Sequence, residues 1–179
     1  MFYRVVAAAT CALFLAGCQQ AGPLLNSTTA VTAPSSLAVK PVDVPFTGAL
    51  TGEVAFDLAN PKACAAGFTT TSNASGTASH MGLTTWYSQH CSAANHQVLD
   101  GTLVLTAANG DEIRATYSGS CAELPDPGEP FTCSGNVAFS QGTGRFVNAG
   151  GTAEWSAIVV FEADFTWPIQ WEWEGSIRY

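Results

Sequence analysis

From Pro45 to the C-terminus the chain alternates apolar and polar residues in stretches of eight to eleven, the period of strands with one face buried and one in water. Phe46, Gly48, Leu50, Gly52, Val54 and Phe56 share one face, opposite Thr47, Thr51, Glu53 and Asp57. Phe131, Cys133, Val137 and Phe139 oppose Thr132, Ser134, Asn136 and Ser140, while Trp155, Ala157, Val159 and Phe161 oppose Glu154, Ser156 and Glu162. In the last stretch Ile169, Trp171, Trp173, Ile177 and Tyr179 face one way, and Gln170, Glu172, Glu174, Ser176 and Arg178 the other. Ala74 to Met81 and Leu83 to Cys91 are further strand candidates whose inward faces the pattern leaves open. Together these make about eight strands in consecutive hairpins. The architecture expected is all-β, an eight-stranded antiparallel up-and-down β-barrel, with a β-sandwich as the alternative.

Between Val98 and Cys121 the pattern also selects a turn. A two-residue Asn109-Gly110 hairpin would pair Leu105 with Arg114 and set leucines against a polar face. A three-residue loop, Ala108-Asn109-Gly110 with Gly110 left-handed, instead pairs Leu105 with Ile113, Leu103 with Ala115 and Gly101 with Tyr117. The second register keeps apolar residues on one face and is the one expected.

The N-terminal part has different chemistry. Met1 to Arg4 precede a short apolar run, Val5 to Leu15, too brief to cross a bilayer, which needs about 20 residues. The run closes on Leu15-Ala16-Gly17-Cys18, which resembles the cleavage box of bacterial lipoprotein signals. That resemblance implies removal of residues 1–17, acylation of Cys18 as the first mature residue, and, with Gln19 rather than Asp following, an outer-membrane destination in the bacterial envelope. Residues 18–44, rich in Ser, Thr, Ala and Pro, read as a flexible tether to a folded domain over residues 45–179.

Without its signal the chain keeps Lys40, Lys62, Arg114, Arg145 and Arg178 against 14 acidic residues, a formal charge of −9. Such a balance disfavours nucleic acid and anionic head groups as partners, so attachment to the membrane falls to the lipid. Of six cysteines, Cys64, Cys91, Cys121 and Cys133 remain after Cys11 leaves and Cys18 is acylated. In an exported protein they are expected to form two disulfides, with three connectivities available on paper. Alternating hairpins place the loops after Asp57, Cys91, Cys121 and Val160 at one end; Cys121 and Cys133 there flank a single hairpin loop, and the other pairings would have to cross between distant strands, which favours Cys64–Cys91 with Cys121–Cys133.

Gly142-Thr143-Gly144-Arg145-Phe146-Val147-Asn148-Ala149-Gly150-Gly151 resembles the GTGxFxxAxG segment of the allene oxide cyclase barrel-like superfamily, which includes plant dirigent proteins. Ser79-His80-Met81-Gly82, and Ala107 to Asp111 followed by Tyr117 and Gly119, look like segments of uncharacterised bacterial members. The resemblance implies an eight-stranded antiparallel barrel, with Phe146 and Ala149 plugging one end. No residue matches the polar groups with which the plant cyclases act, so the catalytic residues are unknown.

His80, His90 and His96 lack convergent partners for a metal, and no CxxC spacing exists, so neither metal nor cofactor is expected. His80 or His90 could serve as general acid or base, but no partner carboxylate is identifiable. Glu172 and Glu174, opposite tryptophans, read as solvated exterior charge, as do the loop acids Glu123, Asp126, Glu129, Glu162 and Asp164. Trp155, Trp171, Trp173, Phe46, Phe56, Phe139 and Tyr179 all point inward by pattern, and so many large side chains favour a filled interior over an apolar cavity. The function expected is a binding or interaction module for an apolar small molecule or a protein partner. The alternative is a cyclase- or isomerase-type enzyme acting on a hydrophobic substrate. Binding residues are sought at the end away from the tether, in Phe161, Phe165, Trp167 and Trp171, with Phe165 and Trp167 exposed at a rim.

Overall fold

The computed structural model describes residues 41–58 and 64–179. Residues 1–40, on which the expected signal segment, Cys18 and most of the expected tether fall, lie outside the described residues. Eight antiparallel strands, β1 (Val44–Asp57), β2 (Gly67–Ala78), β3 (Gly82–Ala93), β4 (Gln97–Ala107), β5 (Glu112–Cys121), β6 (Pro130–Gly142), β7 (Gly150–Val160) and β8 (Thr166–Arg178), run in sequence order. The sheet closes where β8 pairs with β1, Val44 against Ile177 and Leu50 against Trp171. A closed barrel excludes the sandwich.

Alternation decides which face of each strand is buried. Phe46, Leu50 and Val54 of β1, Val137 and Phe139 of β6, Trp155, Ala157 and Val159 of β7, and Ile169, Trp171, Trp173 and Ile177 of β8 all point into the core. The outward positions of these strands carry mostly Thr, Ser, Asn, Gln and Glu, with Ala49, Ala55, Ala138 and Ile158 among them and Glu172 and Glu174 exposed. Tyr179 departs from its expected place: it is 41 % exposed, because β8 ends at Arg178 and leaves the ring to lie across Phe146 at the barrel end.

The β4–β5 register is the one set by the three-residue loop, with Leu105 opposite Ile113, Leu103 opposite Ala115 and Gly101 opposite Tyr117. Gly110 has φ +86°, a conformation that costs glycine nothing and that an L side chain resists. The β2–β3, β4–β5 and β6–β7 connections share one end with the start of β1 and the finish of β8. There a single 3-10 turn, Gly144–Phe146, inserts the fully buried Phe146 beneath the barrel, with Ala149 buried beside it.

The opposite end carries the other four connections and both disulfides, Cys64–Cys91 and Cys121–Cys133. The second pair stands face to face across the β5–β6 ladder. Beyond it, the β5–β6 loop is held to the β7–β8 corner by the Gly128 N–H donating to Phe161 O at 2.7 Å and the Phe161 N–H donating to Glu129 O at 3.1 Å.

Candidate functional site

Aromatic rings fill the barrel in three tiers. At the terminus-bearing end Phe46 packs against Phe139 and Trp173, with ring centroids 5.1 and 6.0 Å away. At the waist Trp171 lies 4.7 Å from Trp86 and 4.4 Å from Trp155, with the Tyr117 ring edge-on to it at 5.9 Å. At the disulfide end Trp167 gathers Phe56, Phe131 and Phe161 at 4.4, 5.9 and 4.9 Å.

The interior is nonetheless not filled throughout. Between the waist and the disulfide end lies a cavity of about 210 Å³, walled by Trp155, Trp167, Trp171 and Phe131 on one side and by Thr70, Ser72, His90 and Ser92 on the other. Its physical origin is the size of the inward side chains on β2 and β3. Thr70, Ser72, Ala74, Ala78, Thr84 and Ser88 are buried, and apart from Trp86 they are too small to meet the tryptophans across the barrel. The expectation of a filled interior rested on strands whose large residues were readable, whereas these two strands supply the missing volume.

The small wall is also the polar one. His90 Nδ1 lies 2.7 Å from Tyr117 Oη, His90 Nε2 lies 2.9 Å from Ser92 Oγ, and Ser92 Oγ lies 2.7 Å from Thr70 Oγ1, a continuous chain of four side chains from three strands. His90 and Tyr117 belong to β3 and β5 and must meet across β4. Gly101 of β4 makes that possible: a Cβ there would sit 2.6 Å from Tyr117 Cδ1 and 2.7 Å from Cε1. Beside it the ladder carries a bulge. Val98 and Gly101 pair with Gly119 and Tyr117, so β4 spends two residues where β5 spends one, and Asp100 takes φ +52°. Bulges of this kind re-aim side chains next to binding sites.

Burial sets the charge of this chain. Desolvation lowers the His90 pKa to about 4, so the imidazole is neutral at pH 7. The same cause raises the Tyr117 hydroxyl well above its ordinary range, and the neighbouring Ser88 hydroxyl opposes the rise. Ser72 Oγ, Ser88 Oγ and the indole nitrogens of Trp86, Trp171 and Trp173 are buried with no partner among the described residues. Each such group costs about 1–3 kcal/mol. A barrel optimised for stability alone would not keep hydroxyls in this wall.

Of the four residues sought as binding positions, Trp167 and Trp171 line the cavity and Phe161 packs behind Trp167. Phe165 is 50 % exposed at a positive-φ corner and lies outside the lining. Trp167 is not an exposed rim residue: it is 6 % exposed, and its indole N–H donates to Glu162 O at 2.7 Å. Enclosure by three other rings draws it inward. Phe68 and Leu124, both about half exposed, supply apolar surface at the cavity mouth instead. His80 lies at the opposite end, its Nε2 2.9 Å from Pro45 O, while His96 lines the mouth. No cluster of three His, Cys, Asp or Glu side chains among the described residues is arranged to hold a metal ion.

The sequence does not mark Thr70 or Ser92, and it marks Tyr117 only through its register with Gly101 and the superfamily resemblance, not as a site residue. The one available signal was the run of hydroxyl residues in β2 and β3, which has no meaning until the inward face is known. Comparison with family models, with characterised proteins and with solved structures finds no match to this chain.

Proposed function

We propose that this protein is an exported bacterial lipoprotein, anchored through acylated Cys18 at the outer membrane, whose barrel binds a neutral, mostly apolar small molecule in the cavity at its disulfide-bearing end. The observation that carries the reading is the cavity itself: about 210 Å³, open at one end, apolar on one wall and hydrogen-bonding on the other. Ligand sites have this composition, largely hydrophobic with a few placed polar groups. The two disulfides and the bonds between the β5–β6 and β7–β8 connections hold the mouth in one shape, which lowers the entropy lost on binding. An engineered cavity of about 150 Å³ already binds benzene, so this volume suits a molecule of roughly bicyclic size.

The test is titration of the mature protein with the uncharged bicyclic fluorophore 1-naphthylamine. Wild type should enhance its emission saturably, and Ala157→Leu, which places a branched side chain at a lining position, should abolish the signal while keeping a cooperative thermal transition. Saturable binding that Ala157→Leu leaves unchanged would move the site elsewhere, to the loop surface around Phe161 and Phe165 where a protein partner would dock. For the anchor, Cys18→Ser should shift the protein from the membrane to the soluble fraction, and a variant that stays membrane-bound would refute it.

One observation favours a second reading. His90 is a neutral base held by Tyr117 in an apolar cavity, the arrangement expected of a general acid–base pair, and the likeness to allene oxide cyclase-type barrels makes a cyclase or isomerase acting on a hydrophobic substrate the corresponding enzyme. Recovery of the natural ligand unchanged after incubation with the protein supports binding; conversion to an isomer supports the enzyme.

A further inference from the structure

We infer that the cavity selects a neutral alcohol of bicyclic size, reading its hydroxyl at Ser92 and rejecting anions and, more weakly, ketones of the same shape. The inference rests on the proposal that the cavity is the ligand site, and it deepens that reading from hydrogen-bond capacity.

Charge comes first. None of the described residues lining the cavity is Lys, Arg, Asp or Glu. The imidazole at the centre of the polar wall is uncharged at neutral pH, and both its nitrogens are already engaged. A carboxylate entering this space would lose its hydration with no cation to receive it, a cost far above what burial of its ring would return.

Hydrogen-bond capacity comes next. His90 and Ser92 are the partly accessible members of the chain; both His90 nitrogens are engaged, whereas Ser92 Oγ has two neighbours, His90 Nε2 and Thr70 Oγ1. A hydroxyl has one proton and two lone pairs, so Ser92 has one position left for a ligand. A neutral imidazole has one N–H and one lone pair. If Nε2 accepts from Ser92, the Ser92 proton is spent, Thr70 must donate to Ser92, and what remains is a lone pair. If Nε2 donates to Ser92, the Ser92–Thr70 bond can run either way, leaving Ser92 with a lone pair or with its proton. A ligand hydroxyl can meet Ser92 in all three arrangements. A ketone oxygen, which only accepts, can meet it in one. Ser72, whose hydroxyl is unpartnered, stands in the same wall and adds to its polarity.

The test is displacement of 1-naphthylamine from the mature protein at pH 8 by three ten- or eleven-carbon ring compounds of nearly one shape: borneol, camphor and bornane-2-carboxylate. Borneol should bind about 2- to 10-fold more tightly than camphor, the ratio that one net hydrogen bond supplies, and the carboxylate should not compete. Ser92→Ala should erase the borneol advantage while leaving camphor affinity within about twofold, and Ser92→Thr should restore it. Camphor binding as tightly as borneol, a competing carboxylate, or an advantage that survives in Ser92→Ala would each overturn the inference while the fluorophore signal upholds the cavity as the site. Failure of the fluorophore itself to bind wild type, with none of the three compounds changing intrinsic tryptophan emission, would overturn the underlying reading and this inference with it.

Discussion

Acidification should destabilise this barrel through His90, by an amount that follows from its burial. The imidazole titrates near 6.5 in an unfolded chain and near 4 in the folded protein, where desolvation penalises the cation. Between those values the unfolded state binds the proton that the folded state refuses, so stability falls as pH drops through this window and His90 contributes no further change below it. Linkage over the interval from pH 7 to pH 5 gives a loss of about 2 kcal/mol, an upper figure because His90 retains some solvent access. Urea denaturation at pH 7, 6, 5 and 4.5 measures it, comparing wild type with His90→Gln, which keeps a polar group of similar reach but does not titrate. The variant will be less stable at pH 7, since it disturbs the bonds to Tyr117 and Ser92, but its stability should change with pH less steeply by about 1–2 kcal/mol over the window. All carboxylates and the other two histidines are common to both proteins, so the difference isolates His90. Parallel pH profiles for the two proteins would show that the imidazole is as readily protonated in the fold as in the unfolded chain, and the argument for a neutral polar wall would fail.

Other perturbations separate packing from surface. Trp167→Ala should cost about 3–5 kcal/mol, because the indole is buried among Phe56, Phe131 and Phe161, whereas Phe165→Ala should stay within about 0.5 kcal/mol; thermal melts of both decide it, and equal effects would contradict their different burial. Gly101→Ala should cost about 1–3 kcal/mol and push the Tyr117 ring off His90, seen as a shift of the His90 imidazole resonances by NMR, and unchanged resonances would show that the ring does not depend on the gap at β4. Non-reducing peptide mapping should recover Cys64–Cys91 and Cys121–Cys133 and no other pairing.

How far the sequence reaches can be judged strand by strand. In β1, β6, β7 and β8 large apolar residues alternate with hydroxyls and acids, so a strand turned the wrong way would bury charge and expose tryptophan; the burial of Leu50, Phe139, Trp155 and Trp171 was therefore fixed locally. The β4–β5 turn was legible for the same reason, since only one register keeps Leu103 and Leu105 off a polar face. The cysteine pairing needed strand count and antiparallel order, which bring four connections to one end, and the place of Cys121 and Cys133 on either side of a single hairpin loop. In β2 the argument stops because Thr, Ser, Ala and Gly cost little on either side of a sheet, and in β3 because Leu83 and Tyr87 stand on the face opposite Trp86, so alternation there leaves little energy difference to choose by. Closure of the barrel makes that choice: with Trp86 pointing inward to stack on Trp171, the period of two carries Ser88, His90 and Ser92 inward as well. The cavity is thus a property of opposite walls taken together, small on β2 and β3 and large on β7 and β8, and no single strand contains it. The bond from His90 to Tyr117 spans two strands and 27 residues over a glycine whose only local meaning was a register mark. What the alternation of residues determined was the shell and its orientation; what only the tertiary structure decided was where the shell is hollow and which polar groups face the space, because both depend on residues far apart in the chain meeting across the barrel axis.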